Sequence, residues 1–302
     1  MIVKQRSKPL PLIRLQHFKA RTTLTEKDEL QYSNLEKGYN GEQTFDEWLK
    51  ALTADSLVLQ DLLFEFNQTH FQIDTLLILS DCLLMFEVKH FSGDFYLKEN
   101  RWYTSIHTEM KNPLLQLQRN ESLLRQLLQH LRVQKPIKGY LIFPNTEFQL
   151  YNVPMNLPII FSTQRKRFVS QLNSNQLNLK TDERKLANIF LAHHIPESPF
   201  THKPSYPYEK LKKGVVCPRC SSFMKTLSTQ KVICQCGYTE TNQLAISRSI
   251  DEYRLLFPER PVTTNSIWEW CKIHQSKRII QDHLAKNYEL IGHSNSSHYV
   301  KR

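Results

Sequence analysis

A chain of 302 residues, with 40% hydrophobic and 23% charged residues, has apolar material for two or three packed domains and excludes a disordered polymer. Its 40 Lys and Arg against 29 Asp and Glu leave a formal charge of +11, which favours an anionic partner such as nucleic acid or a membrane surface. The longest apolar runs, Leu76 to Leu79 and Cys82 to Phe86, are strand-length. No membrane span is therefore predicted. The basic N-terminus lacks the apolar core of an export signal, so a cytoplasmic location is expected.

In chain order, residues 1–37 read as an N-terminal arm with one or two short helices. Residues 38–195 alternate helix and strand patterns and are expected to form one α/β domain. Its first helix is expected to start after Asn40-Gly41, where Glu42, Phe45, Leu49 and Leu52 share one stripe with Trp48 beside it. An acid at the head of a core-facing stripe is either a favourable charge in the first helical turn or a carboxylate with a buried partner.

Two strands follow. A period of two puts Gln72, Asp74, Leu76 and Ile78 on one face of the first, and Leu83, Met85, Glu87 and Lys89 on one face of the second. Ser80-Asp81 between them can turn a hairpin. Leu79 then pairs with Cys82, and counting sets Ile78 against Leu83, Leu76 against Met85, Asp74 against Glu87, and Gln72 against Lys89. Directly opposed residues have Cβ atoms roughly 4.5–5.5 Å apart, where like charges repel. A hard divalent cation, Mg²⁺ or Mn²⁺, between the two carboxylates would remove the conflict.

Lys89, on the same face, suits anionic oxygens or the positioning of an attacking water. Metal plus lysine is the equipment of phosphodiester hydrolysis. An edge-strand ion pair would account for Glu87 and Lys89 alone; the facing Asp74, with Glu42 upstream, is what points to a site. Asn112-Pro113 reads as a helix entry, followed by Gln116, Asn120, Leu123 and Leu127 on one stripe. Gln116 is either the start of a buried face near the positive helix end, where a phosphate is received, or an ordinary surface glutamine.

From Gly41-Glu42 through Ile73-Asp74 and Phe86-Glu87-Val88-Lys89 to Asn112-Pro113-Leu114-Leu115-Gln116, residues 38–165 resemble the nuclease-related domain, NERD. That family is placed in the PD-(D/E)xK restriction-endonuclease-like fold. The resemblance implies a mixed central sheet flanked by helices and metal-dependent cleavage of DNA. It also implies that Asp74 and Glu87 ligate the metal, helped by the Val88 carbonyl. Lys89 would act on the nucleophilic water or the phosphate, Glu42 would support the metal shell, and Gln116 would take the place of the family's helical glutamine.

Residues 196–209 hold four prolines between Pro196 and Pro207 and read as a linker. Of the six cysteines, Cys82 and Cys271 are isolated within apolar patterns. Cys217, Cys220, Cys234 and Cys236 form two close pairs within residues 210–241, and the segment between the pairs suits a β-hairpin. Four thiolates close a tetrahedral Zn²⁺ site with no open position, so a structural zinc ribbon is expected, with redox disulfides or an iron–sulfur cluster as alternatives. Lys212, Lys213, Arg219 and Lys225 form either a phosphate-facing surface or a solvated basic face.

Residues 242–302 are expected to be helical and to end in a hairpin. Ser266-x-x-Glu269 reads as a capping box before one helix, and a second helix is expected from Ser276 to Ala285. Strands at 287–291 and 298–300 would form a wing around Gly292 to Ser297. The pattern loosely resembles a winged helix-turn-helix, with Gln275, Ser276, Lys277, Arg278 and Gln281 on the exposed side of its recognition helix. A small helical packing or protein-interaction domain is the alternative. The whole reads as a Mg²⁺-dependent deoxyribonuclease with nucleic-acid-binding C-terminal modules. An RNA-processing enzyme, or a non-catalytic DNA-binding or regulatory protein that keeps the nuclease fold, stays open beside it.

Overall fold

The computed structural model describes residues 1–174, 178–199, 202–228, 230–272, 277–293 and 297–301. A short strand β1 (Ile2–Lys4) leads into helices α1 (Leu10–Arg21) and α2 (Glu26–Leu49). Three long strands come next, β2 (Leu57–Phe66), β3 (Thr69–Ile78) and β4 (Leu83–Val88). After them run β5 (Gly93–Lys98), β6 (Arg101–Thr104), β7 (Glu109–Met110), α3 (Pro113–His130), β8 (Ile137–Phe143), β9 (Phe148–Tyr151), β10 (Ile159–Phe161), α4 (Arg165–Asn173) and α5 (Thr181–His193). The C-terminal part holds β11 (Lys225–Thr226), β12 (Lys231–Ile233), β13 (Thr239–Thr241), α6 (Asn242–Leu256), α7 (Thr264–Cys271), α8 (Arg278–Asn287), β14 (Tyr288–Ile291) and β15 (His298–Lys301). No helix among the described residues is long and apolar enough to cross a membrane.

Two units make up the chain: residues 1–9 with 33–201, and residues 10–32 with 202–302. The first is built on a six-stranded mixed sheet of order β1-β2-β3-β4-β8-β10. β2, β3 and β4 pair antiparallel, while β1 joins β2, β8 joins β4 and β10 joins β8 in parallel. A second sheet has the order β7-β6-β5-β9.

Strict alternation in β3 and β4 supplies two apolar faces, and each is covered. Leu76, Ile78, Leu83 and Met85 pack with Leu117, Leu124 and Leu127 of α3. Leu77, Leu79, Leu84 and Phe86 pack with Phe45 and Trp48 of α2 and Phe168 of α4. Strands buried on both faces read as nearly continuous apolar runs, as these do.

The β3–β4 register follows the count from the Ser80-Asp81 turn. Leu79 N–H donates to the Cys82 carbonyl at 3.0 Å, and Ile78 faces Leu83, Leu76 faces Met85 and Thr75 faces Phe86. The expected helix start at Asn40-Gly41 is not observed. α2 runs unbroken through both residues, so Glu42 lies far from its first turn and the dipole explanation for that acid falls away. Gly41 serves a close approach instead, since a Cβ there would lie 2.5 Å from His90 Cβ.

Residues 1–37 are placed in both units. β1 lies at the edge of the large sheet, whereas α1 buries Leu12, Leu15 and Phe18 in the second unit. There Arg21 forms an ion pair with Glu252 at 2.8 Å, and its guanidinium lies 3.8 Å from the Trp270 ring centroid. Tyr208, from the end of the Pro-rich segment, is buried against Tyr253, Phe257 and Trp270.

α6, α7 and α8 pack around Ile246, Ile250, Ile267, Trp270 and Leu284, and β14 pairs antiparallel with β15. The cap of α7 differs from the expected Ser266-Glu269 box. Thr263 is the N-cap, with its hydroxyl accepting from Ser266 N–H at 3.0 Å, while the Ser266 hydroxyl accepts from Thr263 N–H at 2.9 Å. A hydroxyl at the third helical position thus does what the acid was expected to do three residues later. α8 is described from Arg278, and Gln275, Ser276 and residues 294–296 of the expected wing loop lie outside the described residues.

Candidate active site

The five residues singled out by strand and helix pattern together with the family resemblance come from four elements. Glu42 is on α2, Asp74 on β3, Glu87 at the end of β4 with Lys89 just beyond it, and Gln116 in the first turn of α3. All five line one cleft of about 540 Å³, together with His90, Ser92 and Phe95.

The β3–β4 ladder pairs Thr75 with Phe86, and one further step sets Asp74 opposite Glu87. At that point the Val88 N–H donates to Asp74 Oδ2 at 2.8 Å. On the other side of β3 the ladder is interrupted at the same level. Asp61, with φ of 55°, sits between the pairs Gln60–Thr75 and Leu62–Ile73. A positive φ is uncommon for a non-glycine residue. Lys4 Nζ supports the bend by donating to the Gln60 and Asp61 carbonyls at 2.8 and 2.7 Å.

Lys89 is fixed from two sides. Its ammonium lies 2.8 Å from Glu87 Oε1 and donates to Gln116 Oε1 at 3.0 Å. Gln116 is placed by the helix entry that the sequence announced: the Asn112 side chain accepts from Leu114 N–H at 2.9 Å, with Pro113 opening α3. One turn further, buried Asn120 donates to the Gln72 carbonyl at 2.9 Å and to Glu87 Oε2 at 3.4 Å.

Glu42 is held by a residue without a counterpart in the sequence reading. Arg6 Nη1 donates to Glu42 Oε2 at 2.6 Å. Arg6 and its partner Asp46 were missed because they meet across 40 residues of chain, a separation no periodicity reports. Asn120 had a legible signal, a polar residue on the same stripe as Gln116, but the stripe alone assigned it no role.

Burial pushes the Glu42 and Glu87 carboxyls up to about 8, and nearby Asp74 adds to the rise. Arg6 opposes it at Glu42 and Lys89 opposes it at Glu87, without cancelling it. Asp74 is raised as well, by burial, against the pull of the Val88 N–H and Lys89. The cleft is lined by three carboxyls, Glu42, Asp74 and Glu87, against the cations Lys37 and Lys89, and a divalent cation would offset the surplus negative charge of the ionised acids.

Among the described residues, the one group of three or more Cys, His, Asp or Glu side chains that converge closely enough to hold a metal ion is the four cysteines, whose sulfurs all lie within 4.8 Å of one another. The acids each turn an oxygen to a protein donor instead. Mg²⁺ keeps several waters and is commonly held by one or two carboxylates, so this all-oxygen set fits it, or Mn²⁺, better than a soft or fully caged metal.

The cysteine cluster fits a different ion. Cys217 and Cys236 place their sulfurs 3.8 Å apart, and Cys220 and Cys234 place theirs 3.3 Å apart. The Arg219 N–H donates to Cys217 Sγ at 3.4 Å, and Gly237, with φ of 82°, lets the second turn close behind Cys236. β11, β12 and β13 form an antiparallel sheet beside them. Four sulfurs with no further donor could hold Zn²⁺ in a closed tetrahedral site.

The expected basic surface is mixed. Lys212, Arg219 and Lys225 are exposed, with the Arg219 guanidinium over the Tyr238 ring at 5.2 Å. Lys213 is packed inward, its ammonium 3.4 Å from the Tyr208 ring centroid, and burial lowers it to about 8. Lys277 is exposed and donates to Asn265 Oδ1 at 2.7 Å; Arg278 is exposed and faces Asp282.

Residues 37–144 match the family model of NERD, the nuclease-related domain, a segment that contains Glu42, Asp74, Glu87, Lys89 and Gln116. No curated protein and no solved structure matches the chain.

Proposed function

We propose, with a nuclease-related domain at residues 37–144 as the premise, that the chain is a metal-dependent nuclease hydrolysing phosphodiester bonds of DNA. One observation carries the reading: Lys89 is held between Glu87 and Gln116 in the cleft that Asp74 and Glu42 also line. A divalent cation held by Asp74 and Glu87, with the Val88 carbonyl, would acidify a bound water and neutralise charge on the phosphate.

The rest is the work of this chain's own residues. Glu87 and Gln116 restrict the Lys89 ammonium to one position, so no reorganisation is required when charge develops on a phosphate oxygen beside it. Gln116 lies in the first turn of an 18-residue helix, where the helix dipole favours an anion. Asp74, tied to Val88 N–H through one oxygen, is stopped from rotating. By resemblance to the family, the products carry 5′-phosphate ends.

The zinc ribbon and the α6–α8 segment with its β14–β15 hairpin would bind the nucleic acid, through Lys212, Arg219, Lys225, Lys277 and Arg278. What supports this part is the exposure of those cations in a chain of net charge +11.

Incubating the purified full-length chain with single-stranded, duplex and branched DNA and with RNA, in Mg²⁺, Mn²⁺ or chelator, tests the reading. Cleavage of DNA that needs the metal and disappears in Lys89→Ala, with binding kept, is the expected result. Binding without cleavage of any form would leave a DNA-binding protein on a nuclease scaffold, and cleavage of RNA in preference to DNA would change the substrate.

A further inference from the structure

Arg6 lies outside the segment that matches the nuclease-related family, yet its side chain is only 3% exposed and all its bonds converge behind the carboxylate cleft. Nε and Nη2 form a fork on Asp46 at 2.8 and 3.2 Å, and Nη1 donates to Glu42 Oε2 at 2.6 Å. Nη2 also donates to the Asp74 carbonyl at 2.7 Å and the Thr75 hydroxyl at 3.1 Å. The Arg6 N–H is itself tied to Gln60 Oε1 at 2.8 Å, next to the Asp61 bend that Lys4 supports. One guanidinium therefore links α2 to β3 at the level of the candidate metal ligands.

Arg6 does not line the cleft of Lys89; it lines a smaller neighbouring one with Asp46, Gln43 and Tyr39. It therefore stands behind Glu42, away from where a phosphodiester would lie. The two-bond fork on Asp46 fixes the plane of the guanidinium, so Nη1 meets Glu42 from one direction, which a lysine ammonium of the same charge does not ensure.

We propose that Arg6 is a positioning residue of the carboxylate site, fixing Glu42 in the orientation that supports a divalent cation at Asp74 and Glu87. Arg6, outside the matched segment, is then part of the nuclease site. This inference rests on the nuclease reading above. It competes with a simpler role of opposite sign. As a bare positive charge near a cation site, Arg6 would repel the metal, and its removal would tighten metal binding.

Mn²⁺ binding to the full chain, followed by the electron paramagnetic resonance signal of free Mn²⁺, separates the two roles without reference to turnover. Arg6→Lys keeps the charge and loses the fork; Arg6→Met loses both. Both are expected to weaken Mn²⁺ binding by about 10- to 100-fold, the usual effect of losing a group that orients a metal site. In a Glu42→Gln background the same changes should cost less than about twofold further, because the coupled partner is already gone.

Unchanged binding in Arg6→Lys, or tighter binding in Arg6→Met, overturns the proposal. Removing a buried, paired arginine is destabilising, so Asp46→Asn is the second variant; it loosens the fork from outside the cleft. Folded Asp46→Asn with several-fold weaker Mn²⁺ binding supports positioning, and wild-type affinity in that variant overturns it. A wild-type chain whose Mn²⁺ isotherm does not change in Asp74→Asn or Glu87→Gln has no metal at this site. That result removes the nuclease reading, and this inference with it.

Discussion

Lys89 donates to Gln116 Oε1 at 3.0 Å, which joins the end of β4 to the first turn of α3 across 27 residues of chain. The bond gives the ammonium a second anchor beyond Glu87. Gln116→Ala should therefore lower DNA cleavage by about tenfold, as orienting groups do, while Lys89→Ala should lower it by at least about a hundredfold. Single-turnover rates on a bound oligonucleotide check the ranking, and equal losses in the two variants would mean that Gln116 does more than orient.

Gly38 and Gly41 both lie within α2, and their replacement by alanine should act in opposite directions. Nothing lies within 4 Å of a Cβ at Gly38, so Gly38→Ala should stabilise by about 0.5–1 kcal/mol through helix propensity. A Cβ at Gly41 would meet His90 Cβ at 2.5 Å, so Gly41→Ala should destabilise by about 1–3 kcal/mol despite the same propensity gain. Urea denaturation of the two variants measures the signs.

Burial alone would raise Glu252, but hydrogen bonds from Arg21 and then His17 hold it down to about 2, below its ordinary 4.5. A folded value below the unfolded one stabilises fully above the ordinary value, and the contribution is lost as pH falls from 4.5 towards 2. Glu252→Gln should lose about 3–5 kcal/mol at neutral pH, because Arg21 is left buried without its counter-charge. It should also flatten the acid limb of the stability curve. Urea titrations at a series of pH values test both, and an unchanged acid limb would assign the loss of stability to other carboxylates.

Removing zinc should unfold the cysteine-bearing segment and leave the large sheet intact. Cys217→Ser or a strong chelator is expected to abolish bound zinc and lower the melting transition of the C-terminal unit, since structural zinc contributes directly to folding. Cys82→Ser, far from the cluster in sequence and buried in the sheet core, should keep the zinc. Metal analysis with calorimetry distinguishes the cases, and full zinc content in Cys217→Ser would remove that residue from the ligand set.

Lys225 and Lys213, assigned together to a basic face by sequence, should behave differently. Exposed Lys225, replaced by alanine, should weaken DNA binding and reduce the slope of log K against log salt by about one. Lys213, packed on Tyr208, should change the melting temperature and leave the salt slope near its wild-type value. Binding isotherms at four salt concentrations, with chelator present to stop cleavage, report both slopes.

Local rules made much of this molecule legible. Period-two alternation assigned the faces of β3 and β4, the Ser80-Asp81 turn set their register, and Asn112-Pro113 announced α3, because each depends on residues a few positions apart. The cysteine spacing announced the sulfur cluster for the same reason. Punctuation misled at Gly41, where the small residue answers a neighbour 49 positions away in sequence and not a helix start.

By itself, then, the sequence determined the strand faces, the hairpin register, the sulfur cluster and the five side chains that share a cleft. Only the tertiary structure decided that Arg6 stands behind Glu42, that Lys213 faces inward and that the first 32 residues are divided between two units. The physical reason is range. Backbone periodicity and turn chemistry act over a few residues, whereas a buried guanidinium finds its carboxylates wherever packing brings them, and no spacing in the chain records the distance it will span.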